Sequence, residues 1–403
     1  MSNVQHPASD DEIAEIVRKA NSDISSIEIV GGGTRLGLGN PVHADMQLST
    51  SGLSGITLYE PGALTIVAKS GTPLAEIEEA LAKEGQHLPF EPADYRSLMG
   101  SAGEPTIGGI VACGISGPKR FQGGACRDCL IGVRFINGTG DIVKNGGRVM
   151  KNVTGYDLVK LMAGSFGTLG ILSEVSFKVL PLAEKSTTIA VEGLSHTDAI
   201  AALAKAATSP FDPTGLAHLP AGDDEAQTLV RLEGFGNQLE YRAERISELL
   251  QSFGAINRLD EKRHLNIWQQ VRECRKFAGR TGSVWRISVK PSDADGFLNR
   301  ILNDACLEYF LDWAGGLIWV FAEDETLDTN GGSAGVTTLL RHGLSGIGGH
   351  VTLVRAADKG DVASSFQPEA PGVAALSAAI KQQFDPANIL NPGRMSASQV
   401  EAS

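Results

Sequence analysis

The strongest chemical signal in the chain is a run of three glycines that follows a short apolar segment. Residues 27–30 are mostly apolar and lead directly into residues 31–35, Gly-Gly-Gly-Thr-Arg. Backbone N–H groups in such a bend converge on one point and can bind an anion without a lysine. Thr34 adds a hydroxyl donor and Arg35 adds a positive charge. The segment predicts a site for a diphosphate, and a tight turn without a ligand is the alternative that these residues leave open.

Two better-known glycine motifs do not explain this run. The dinucleotide fingerprint needs a glycine where the chain has Leu36 or Val42, and the Asn-Pro pair at 40–41 opposes the helix that should follow. A phosphate-binding P-loop would end in Gly-Lys-Ser or Gly-Lys-Thr, which residues 37–39 do not supply. A Rossmann site and a P-loop are therefore both excluded.

Two later segments show the same preference for small residues. Residues 106–109 read Thr-Ile-Gly-Gly, and residues 163–172 contain three further glycines. Glycine accounts for 48 of 403 residues, about 12% against a usual ~7%. Glycine lets backbone lie directly against a ligand, so three such segments predict a cradle for one long, partly flat cofactor that contains a diphosphate.

The elements that must position these loops alternate between strands and helices. Residues 10–20 have the apolar spacing of a helix, and Thr72-Pro73 is typical of a helix start. Residues 171–180 alternate as a half-buried strand does, and Pro181 ends them. From Thr187 onward the order strand, helix, strand, strand, helix, strand predicts a split βαβ unit on an antiparallel sheet. The predicted class is α+β, with domains at 1–182, 183–345 and 346–403, the last returning to the first domain.

Composition and charge exclude several classes of protein. The 35 Lys and Arg against 47 Asp and Glu give a formal net charge of −12, which argues against a nucleic-acid binder and against docking on anionic lipid. No apolar stretch reaches the ~18 residues that span a membrane. The polar start is unlike a signal or transit peptide, and five Cys in a long chain suit a reducing compartment. We expect a cytoplasmic protein without a membrane span.

Cys126 and Cys129 form a C-x-x-C pair. A zinc or iron–sulfur site would need two more ligands at similar spacing, and Cys113, Cys274 and Cys306 do not provide them. We interpret Cys126 and Cys129 as ordinary thiols at the start of a strand.

Residues 31–34, 106–109 and 164–171, in this order, resemble the FAD domain of the vanillyl-alcohol oxidase/p-cresol methylhydroxylase (PCMH) family. Residues 384–394, Phe-Asp-Pro-Ala-Asn-Ile-Leu-Asn-Pro-Gly-Arg, resemble the ending of glycolate oxidases and D-lactate dehydrogenases in that family. The similarity is greatest to the smaller FAD-binding subunit of bacterial glycolate oxidase, at residues 146–158 and 348–355.

The resemblance implies a two-subdomain PCMH-type FAD-binding domain and an α+β cap with an antiparallel sheet. It also implies non-covalent FAD, because residues 31–35 lack the histidine that carries the flavin in some members. The first loop would hold the pyrophosphate, and the later segments would lie along the flavin and the adenine side. The residues expected to bind FAD are Gly31, Gly32, Gly33, Thr34, Arg35, Gly37, Thr106, Gly108, Gly109, Gly117, Gly164, Gly167, Gly170 and Ile171.

Oxidation of a 2-hydroxy acid beside a flavin needs a cation for the carboxylate and a base for the hydroxyl proton. His350 is the candidate base. The catalytic relatives carry a histidine-rich metal segment, whereas this chain offers only His342 and His350, eight residues apart, so no metal is predicted. Structural roles are the alternative for each candidate cation: Arg286, Lys290, Arg355 and Arg394.

These expectations favour an FAD-binding subunit of a glycolate oxidase complex that oxidises glycolate to glyoxylate. Its partners would be a larger FAD-bearing subunit and an iron–sulfur subunit that passes electrons to quinone, and they would hold it peripherally at the inner membrane. A free-standing FAD-dependent D-2-hydroxy-acid (D-lactate) dehydrogenase is one alternative. A cofactor-free scaffold subunit is the other.

Overall fold

The predicted α+β class is confirmed, because helices alternate with sheets whose strands pair mainly antiparallel. The computed structural model describes residues 3–147, 156–222, 224–357 and 364–396. Residues 148–155 of the resemblance at 146–158 therefore lie outside the described residues. The chain divides into two units, the first containing Met1–Ser116, Gly124–Leu182 and Pro368–Ser403, the second containing Gly117–Gly123 and Ala183–Gln367.

This division differs from the predicted domains in two places. The segment His350–Arg355 pairs with the strand Ser283–Ser288, so it belongs to the second unit and not to a returning C-terminal segment. The short segment Gly117–Gly123 belongs to the second unit although it lies inside residues 1–182. Both assignments depend on contacts between residues far apart in the sequence, which local spacing does not specify.

Within its described residues, the first unit contains three sheets. Its strands are β1 Asn3–Gln5, β2 Ile27–Val30, β3 Met46–Ser49, β4 Ile56–Glu60, β5 Thr65–Lys69, β6 Gln86–His87, β7 Leu130–Ile136, β8 Ile142–Gly146, β9 Ile171–Lys178 and β10 Leu180–Pro181. The sheet β1-β3-β2 is parallel, and the five-stranded sheet β4-β5-β9-β7-β8 is antiparallel. The third sheet pairs β10 with β6.

The helices of the first unit cover these sheets and support the glycine loops. The first helix begins after Ser9, whose Oγ accepts a hydrogen bond from the Glu12 N–H at 3.2 Å. Its residues Ile13 and Val17 are buried in a core with Leu48 of β3. The helices are Asp10–Asp23, Leu74–Lys83, Arg96–Met99, Ile107–Cys113, Cys126–Cys129, Leu158–Met162 and Pro371–Phe384.

The second unit is built on one antiparallel sheet of eight strands. Its strands are β11 Lys185–Glu192, β12 Gly215–Leu219, β13 Gln227–Gly234, β14 Ile256–Arg258, β15 Ser283–Ser288, β16 Glu308–Asp312, β17 Leu317–Ala322 and β18 His350–Arg355. Their order is β14-β11-β13-β12-β16-β17-β15-β18. Its helices are Arg120–Gly123, His196–Ala207, Gly236–Leu250, Glu261–Glu273, Ala294–Asp304, Asp324–Thr329 and Gly332–Gly343.

The two faces of β15 have different chemistry. Trp285 and Ile287 are fully buried in a core with residues of the helices Ala294–Asp304 and Gly332–Gly343. Side chains alternate along a strand, so Arg286 lies on the opposite face. His350 of β18 stands across from Ser288 and shares that face. The alternation therefore places one apolar face against the helices and brings polar groups together on the other.

Candidate cofactor cleft and basic cluster

A cleft in the first unit is formed where the three glycine segments meet. Its empty volume, including the part open to solvent, is about 750 Å³. It is lined by Ile29, Gly31, Gly32, Gly33, Thr34, Arg35, Leu36, Leu38, Thr50, Ser70, Thr106, Gly108, Gly109, Ala112, Cys113, Phe166, Gly167, Gly170, Leu172, Asn391 and Arg394.

The first glycine loop packs against protein on one side and opens into space on the other. A Cβ at Gly31 would collide with the Thr106 hydroxyl, and a Cβ at Gly32 would collide with the Glu104 carbonyl. Gly33 differs, because none of the described residues lies within 4 Å of its Cβ position and its φ is 72°. The turn is therefore fixed by its neighbours at two glycines while the third faces free volume.

The second segment forms the start of a helix that lines the cleft. The Thr106 Oγ1 accepts a hydrogen bond from the Gly109 N–H at 3.3 Å and caps the helix Ile107–Cys113. A Cβ at Gly108 would lie 2.6 Å from the Ser70 Cβ, so this helix can approach β5 only because residue 108 is glycine.

The third segment is joined to the first through the C-terminal tail. The Asn391 Oδ1 accepts from the Ile29 N–H at 2.8 Å, and its Nδ2 donates to the Phe166 carbonyl at 2.7 Å. Asn391 is 4% exposed and stands 362 residues from Ile29 in the chain. One amide side chain thus connects the end of β2 to the loop that contains Gly167.

Two buried arginines contribute positive charge to the cleft. Arg35 is 8% exposed and donates from Nη2 to the Ala93 carbonyl at 2.6 Å. Arg394 donates to the carbonyls of Leu36 and Leu38 and to the carboxylate of Glu28. Burial lowers the pKa of both guanidinium groups. Arginine is not deprotonated in proteins at neutral pH, so both side chains stay charged.

Cys113 also lines the cleft, within electrostatic range of the guanidinium groups of Arg35 and Arg394. Burial raises the pKa of the Cys113 thiol, and the charges of Arg35 and Arg394 oppose that shift. Burial is the larger cause, so the side chain is a neutral thiol at neutral pH.

The cleft fits an extended, diphosphate-containing cofactor. Two cleft residues have buried polar atoms with no hydrogen-bond partner among the described residues, the Ser70 Oγ and the Arg35 Nε. Buried polar groups are normally paired in native proteins. A hydroxyl and a guanidinium, together with the free volume at Gly33, form a donor set suited to an anionic ligand.

Most residues predicted to bind FAD line the cleft, and four do not. The Gly37 Cβ position lies 2.7 Å from the Met99 side chain, and Ile171 belongs to the core. Gly164 has a φ of 84° and donates to the Val111 carbonyl, so it docks the third loop on the helix. The Gly117 carbonyl accepts a hydrogen bond from the Trp313 indole N–H in the second unit.

Sequence reasoning missed several polar cleft residues. Ser70 and Thr50 carry no motif that would mark them, because they are single hydroxyls in or near strands. Asn391 belongs to the C-terminal segment 384–394. Its position directly before a Pro-Gly pair is the sequence feature that could have indicated a role in the cleft.

A second group of polar side chains lies in the second unit. The Arg120 guanidinium carbon lies 4.3 Å from the centroid of the Trp313 ring, and that of Arg286 lies 5.1 Å from it. Removal from bulk water lowers the pKa of His350, and the charges of Arg286 and Arg120 lower it further. We call these four residues, Arg120, Arg286, Trp313 and His350, the basic cluster.

The other predicted cations do not belong to this cluster. Arg355 donates to the carbonyls of Phe277 and Gly282 at 3.0 and 3.2 Å. Lys290 is exposed at the start of a short helical turn. Arg394 lies in the cleft of the first unit. The hydrogen bonds of Arg355 and Arg394 to backbone carbonyls give both side chains a structural role.

Neither a metal cluster nor a membrane helix is found in the parts of the chain that the structure describes. No three His, Cys, Asp or Glu side chains there come together as metal ligands. Within the same residues, no helix is both long and apolar enough to cross a bilayer.

Comparisons with known proteins agree with this geometry. Residues 2–146 match the family described as FAD binding domain, and residues 367–395 match that described as FAD linked oxidases, C-terminal domain. The glycolate oxidase subunit GlcE of Escherichia coli (strain K12) is 36% identical over 386 residues, covering 95% of this chain and 96% of that protein. The glycolate oxidase subunit GlcD of Bacillus subtilis (strain 168) is 30% identical over 184 residues, covering 45% of this chain and 38% of that protein.

A solved structure shows the fold. The 4-ethylphenol oxidase from Gulosibacter chungangensis superposes with a TM-score of 0.72 at 15% identity, covering 99% of this chain and 90% of that one. The family match confirms FAD as the cofactor predicted from the sequence.

Proposed function

The chain belongs to the GlcE-type family of FAD-linked oxidase subunits, and we propose that it is the FAD-binding subunit of a glycolate oxidase. The observation that supports this is a cleft built from three glycine segments and the C-terminal tail, in a chain similar to GlcE over nearly its whole length. The reaction would be oxidation of glycolate to glyoxylate.

The first loop and its neighbours would hold the cofactor. Gly33 leaves room for the pyrophosphate, while the Arg35 Nε and the Ser70 hydroxyl supply donors that have no partner within the described ranges. The N-terminal turn of the helix Ile107–Cys113 and the loop around Gly167 would enclose the rest of the molecule. When bound, FAD supplies the two-electron acceptor for the oxidation.

Two residues of the basic cluster would act on the hydroxy acid. Arg286 makes no hydrogen bond or ion pair with any residue in the described ranges, so its guanidinium can bind a carboxylate. His350 would accept the hydroxyl proton, because its lowered pKa keeps the imidazole unprotonated at neutral pH.

Partner subunits would complete the enzyme. We propose a larger FAD-bearing subunit and an iron–sulfur subunit as partners, through which electrons leave for quinone and which hold the assembly at the inner membrane. The names of the two relatives, subunits GlcE and GlcD of glycolate oxidases, support an assembly of several chains.

The test is to purify the chain alone and co-expressed with its native partner subunits, and to follow the visible absorbance of the flavin during anaerobic glycolate addition. We expect a yellow chain whose flavin bleaches in the complex and is released when the protein is denatured. A colourless chain would contradict the cofactor assignment, and a complex whose flavin ignores glycolate would contradict the substrate. Bleaching of the isolated chain by D-lactate would favour a free-standing dehydrogenase.

A further inference from the structure

Cys113 combines partial exposure with a position in the wall of the cleft. It is the last residue of the helix Ile107–Cys113, and it lines the cleft together with glycines of all three segments. Of the other cysteines, the first three are buried and the last is exposed but is not among the residues that line the cleft: Cys126, Cys129, Cys274 and Cys306. A ligand in the cleft should therefore change chemical access to Cys113 and leave access to the other four thiols as it was.

The end of the helix that carries Cys113 is fixed to the third glycine segment. The Val111 carbonyl accepts a hydrogen bond from the Gly164 N–H at 2.9 Å, and the Ala112 carbonyl accepts one from the Phe166 N–H at 2.8 Å. Moving this end of the helix would break both bonds. A group added to Cys113 must therefore be accommodated by the volume of the cleft.

Unpaired donors in the same cleft point to a polar ligand there. The Arg35 Nε and the Ser70 Oγ have no hydrogen-bond partner within the described residues, although the two residues are only 8% and 1% exposed. Such buried groups are normally paired, and the family match identifies FAD as the cofactor. Because Cys113 forms part of the wall, FAD that fills the cleft covers it.

We propose that Cys113 is a modification site that FAD protects: a small α,β-unsaturated carbonyl compound adds to its thiol when the cleft holds no FAD, and the adduct then prevents FAD from binding. The inference rests on the proposed placement of FAD in the cleft. It does not depend on the identity of the substrate. Its consequence is that the apoprotein is sensitive to electrophiles and the flavoprotein is resistant.

The addition needs neither an oxidant nor a leaving group. The Cys113 sulfur forms a bond to the β-carbon of the carbonyl compound, the carbon–carbon double bond becomes a single bond, and the thiol proton reaches the α-carbon through solvent. The thiolate is the attacking form. Burial raises the pKa of the Cys113 thiol, so the addition should be slower than at the exposed Cys306.

The experiment follows the addition of N-ethylmaleimide to each cysteine by peptide mass spectrometry. The samples are the purified full-length flavoprotein, its apoprotein, and the apoprotein refilled with FAD. Cys306 is the matched control for the reactivity of the reagent, because it is exposed outside the cleft. The buried Cys126 and Cys274 report on unfolding.

We expect Cys113 to react in the apoprotein and to react about tenfold more slowly when free FAD is about ten times its Kd. FAD should not change the rate at Cys306. Equal rates at Cys113 with and without FAD would overturn the inference, as would a rate in the apoprotein no higher than that of Cys126. Equal protection of Cys126 and Cys113 would assign the effect to unfolding and would also overturn it.

The adduct should in turn block the cofactor. Apoprotein labelled at Cys113 should bind FAD at least about tenfold more weakly than unlabelled apoprotein, because the added group takes up space in a cleft whose wall is fixed. Cys306→Ser should show the same loss after maleimide treatment, whereas Cys113→Ser should bind FAD equally before and after it. Unchanged FAD affinity in chains labelled at Cys113 would contradict the inference.

Failure of this inference can be distinguished from failure of the proposed function. If FAD protects Cys113 but glycolate never bleaches the flavin of the complex, the modification site stands and the glycolate assignment fails. If glycolate bleaches the flavin while Cys113 reacts equally with and without FAD, the inference about Cys113 fails alone.

Discussion

Gly33 and Gly85 share a backbone geometry but not a location. Their φ values are 72° and 61°, and no atom in the part of the chain that the structure describes lies within 4 Å of either Cβ position. Only Gly33 lines the cleft. Any side chain costs similar strain at both positions, so the pair separates strain from loss of ligand space.

We expect Gly33→Val to lose bound flavin almost completely and Gly85→Val to keep it. A side chain at 33 would occupy the volume assigned to the pyrophosphate, and the strain at both sites is about 1–2 kcal/mol. The measurement is the ratio of flavin to protein absorbance after purification, with thermal unfolding as the check on folding. Full flavin content in Gly33→Val would show that the loop does not hold the diphosphate.

At the scale of elements, the tail closes the cleft by joining β2 to the third loop. Asp385 accepts from the N–H groups of Ile389 and Leu390, and Lys381 donates to Asp385 and to the Thr168 carbonyl. These contacts fix the backbone that carries Asn391. The tail therefore contributes to the cleft through its position as well as its side chains.

Asn391→Ala should reduce flavin retention, because the partly buried Ile29 N–H and Phe166 carbonyl would each lose a hydrogen bond to its side chain. Each lost hydrogen bond costs about 1–3 kcal/mol, so FAD affinity should fall at least about tenfold if the loops separate. Gln383→Ala, at an exposed position of the same tail helix, is the control and should bind FAD normally. Titration of the apoprotein with FAD measures both, and equal affinities would argue against the connection.

The strand β12 contains a titratable group that should make the second unit sensitive to acid. His218 is 1% exposed and its Nδ1 lies 3.0 Å from the Thr228 hydroxyl of β13. Burial is the largest cause that lowers its pKa from 6.5 to about 4, and the charges of His196 and Lys276 lower it further. Between these values the unfolded chain binds the proton and the folded chain does not, so stability falls as pH falls.

We expect the His218 contribution to remove about 3 kcal/mol of unfolding free energy between pH 6.5 and pH 4. His218→Asn has no group that titrates in this range and should show a shallower loss. Urea unfolding of both proteins across the pH range gives the difference. Parallel profiles would mean that His218 titrates normally in the folded state.

The residues that line the cofactor cleft and the residues of the basic cluster belong to different units of the chain. The residues that line the cleft all belong to the first unit, and the cluster belongs to the second. Substitutions in the basic cluster should therefore leave FAD binding unchanged, and substitutions in the cleft should leave the basic cluster unchanged.

Arg286→Ala should retain flavin at the wild-type ratio and yet respond weakly to glycolate in the complex. Arg286 is not among the residues that line the cleft, while its loss removes a charged partner for the substrate carboxylate. Flavin content and anaerobic reduction are measured on the same sample. Loss of flavin in Arg286→Ala would show that FAD binding depends on the basic cluster.

Much of the cofactor site could be predicted from the sequence. The glycine segments at 31–33, 106–109 and 164–170 have local signatures, and most of their residues line the cleft. Alternating and helical spacing likewise predicted the α+β class. These features depend on the backbone preferences of single residue types. Those preferences can be read from residue type and spacing in the sequence.

Tertiary structure alone decided which distant residues meet. Asn391 joins Ile29 across 362 positions, Arg120 lies beside Trp313, and His350–Arg355 pairs with β15. These contacts are selected by packing of whole elements and by the pairing of backbone groups between strands, and a single sequence carries no spacing that encodes them. Local sequence segments therefore determine the class of cofactor. The grouping of charged side chains that would bind a substrate depends on the tertiary fold.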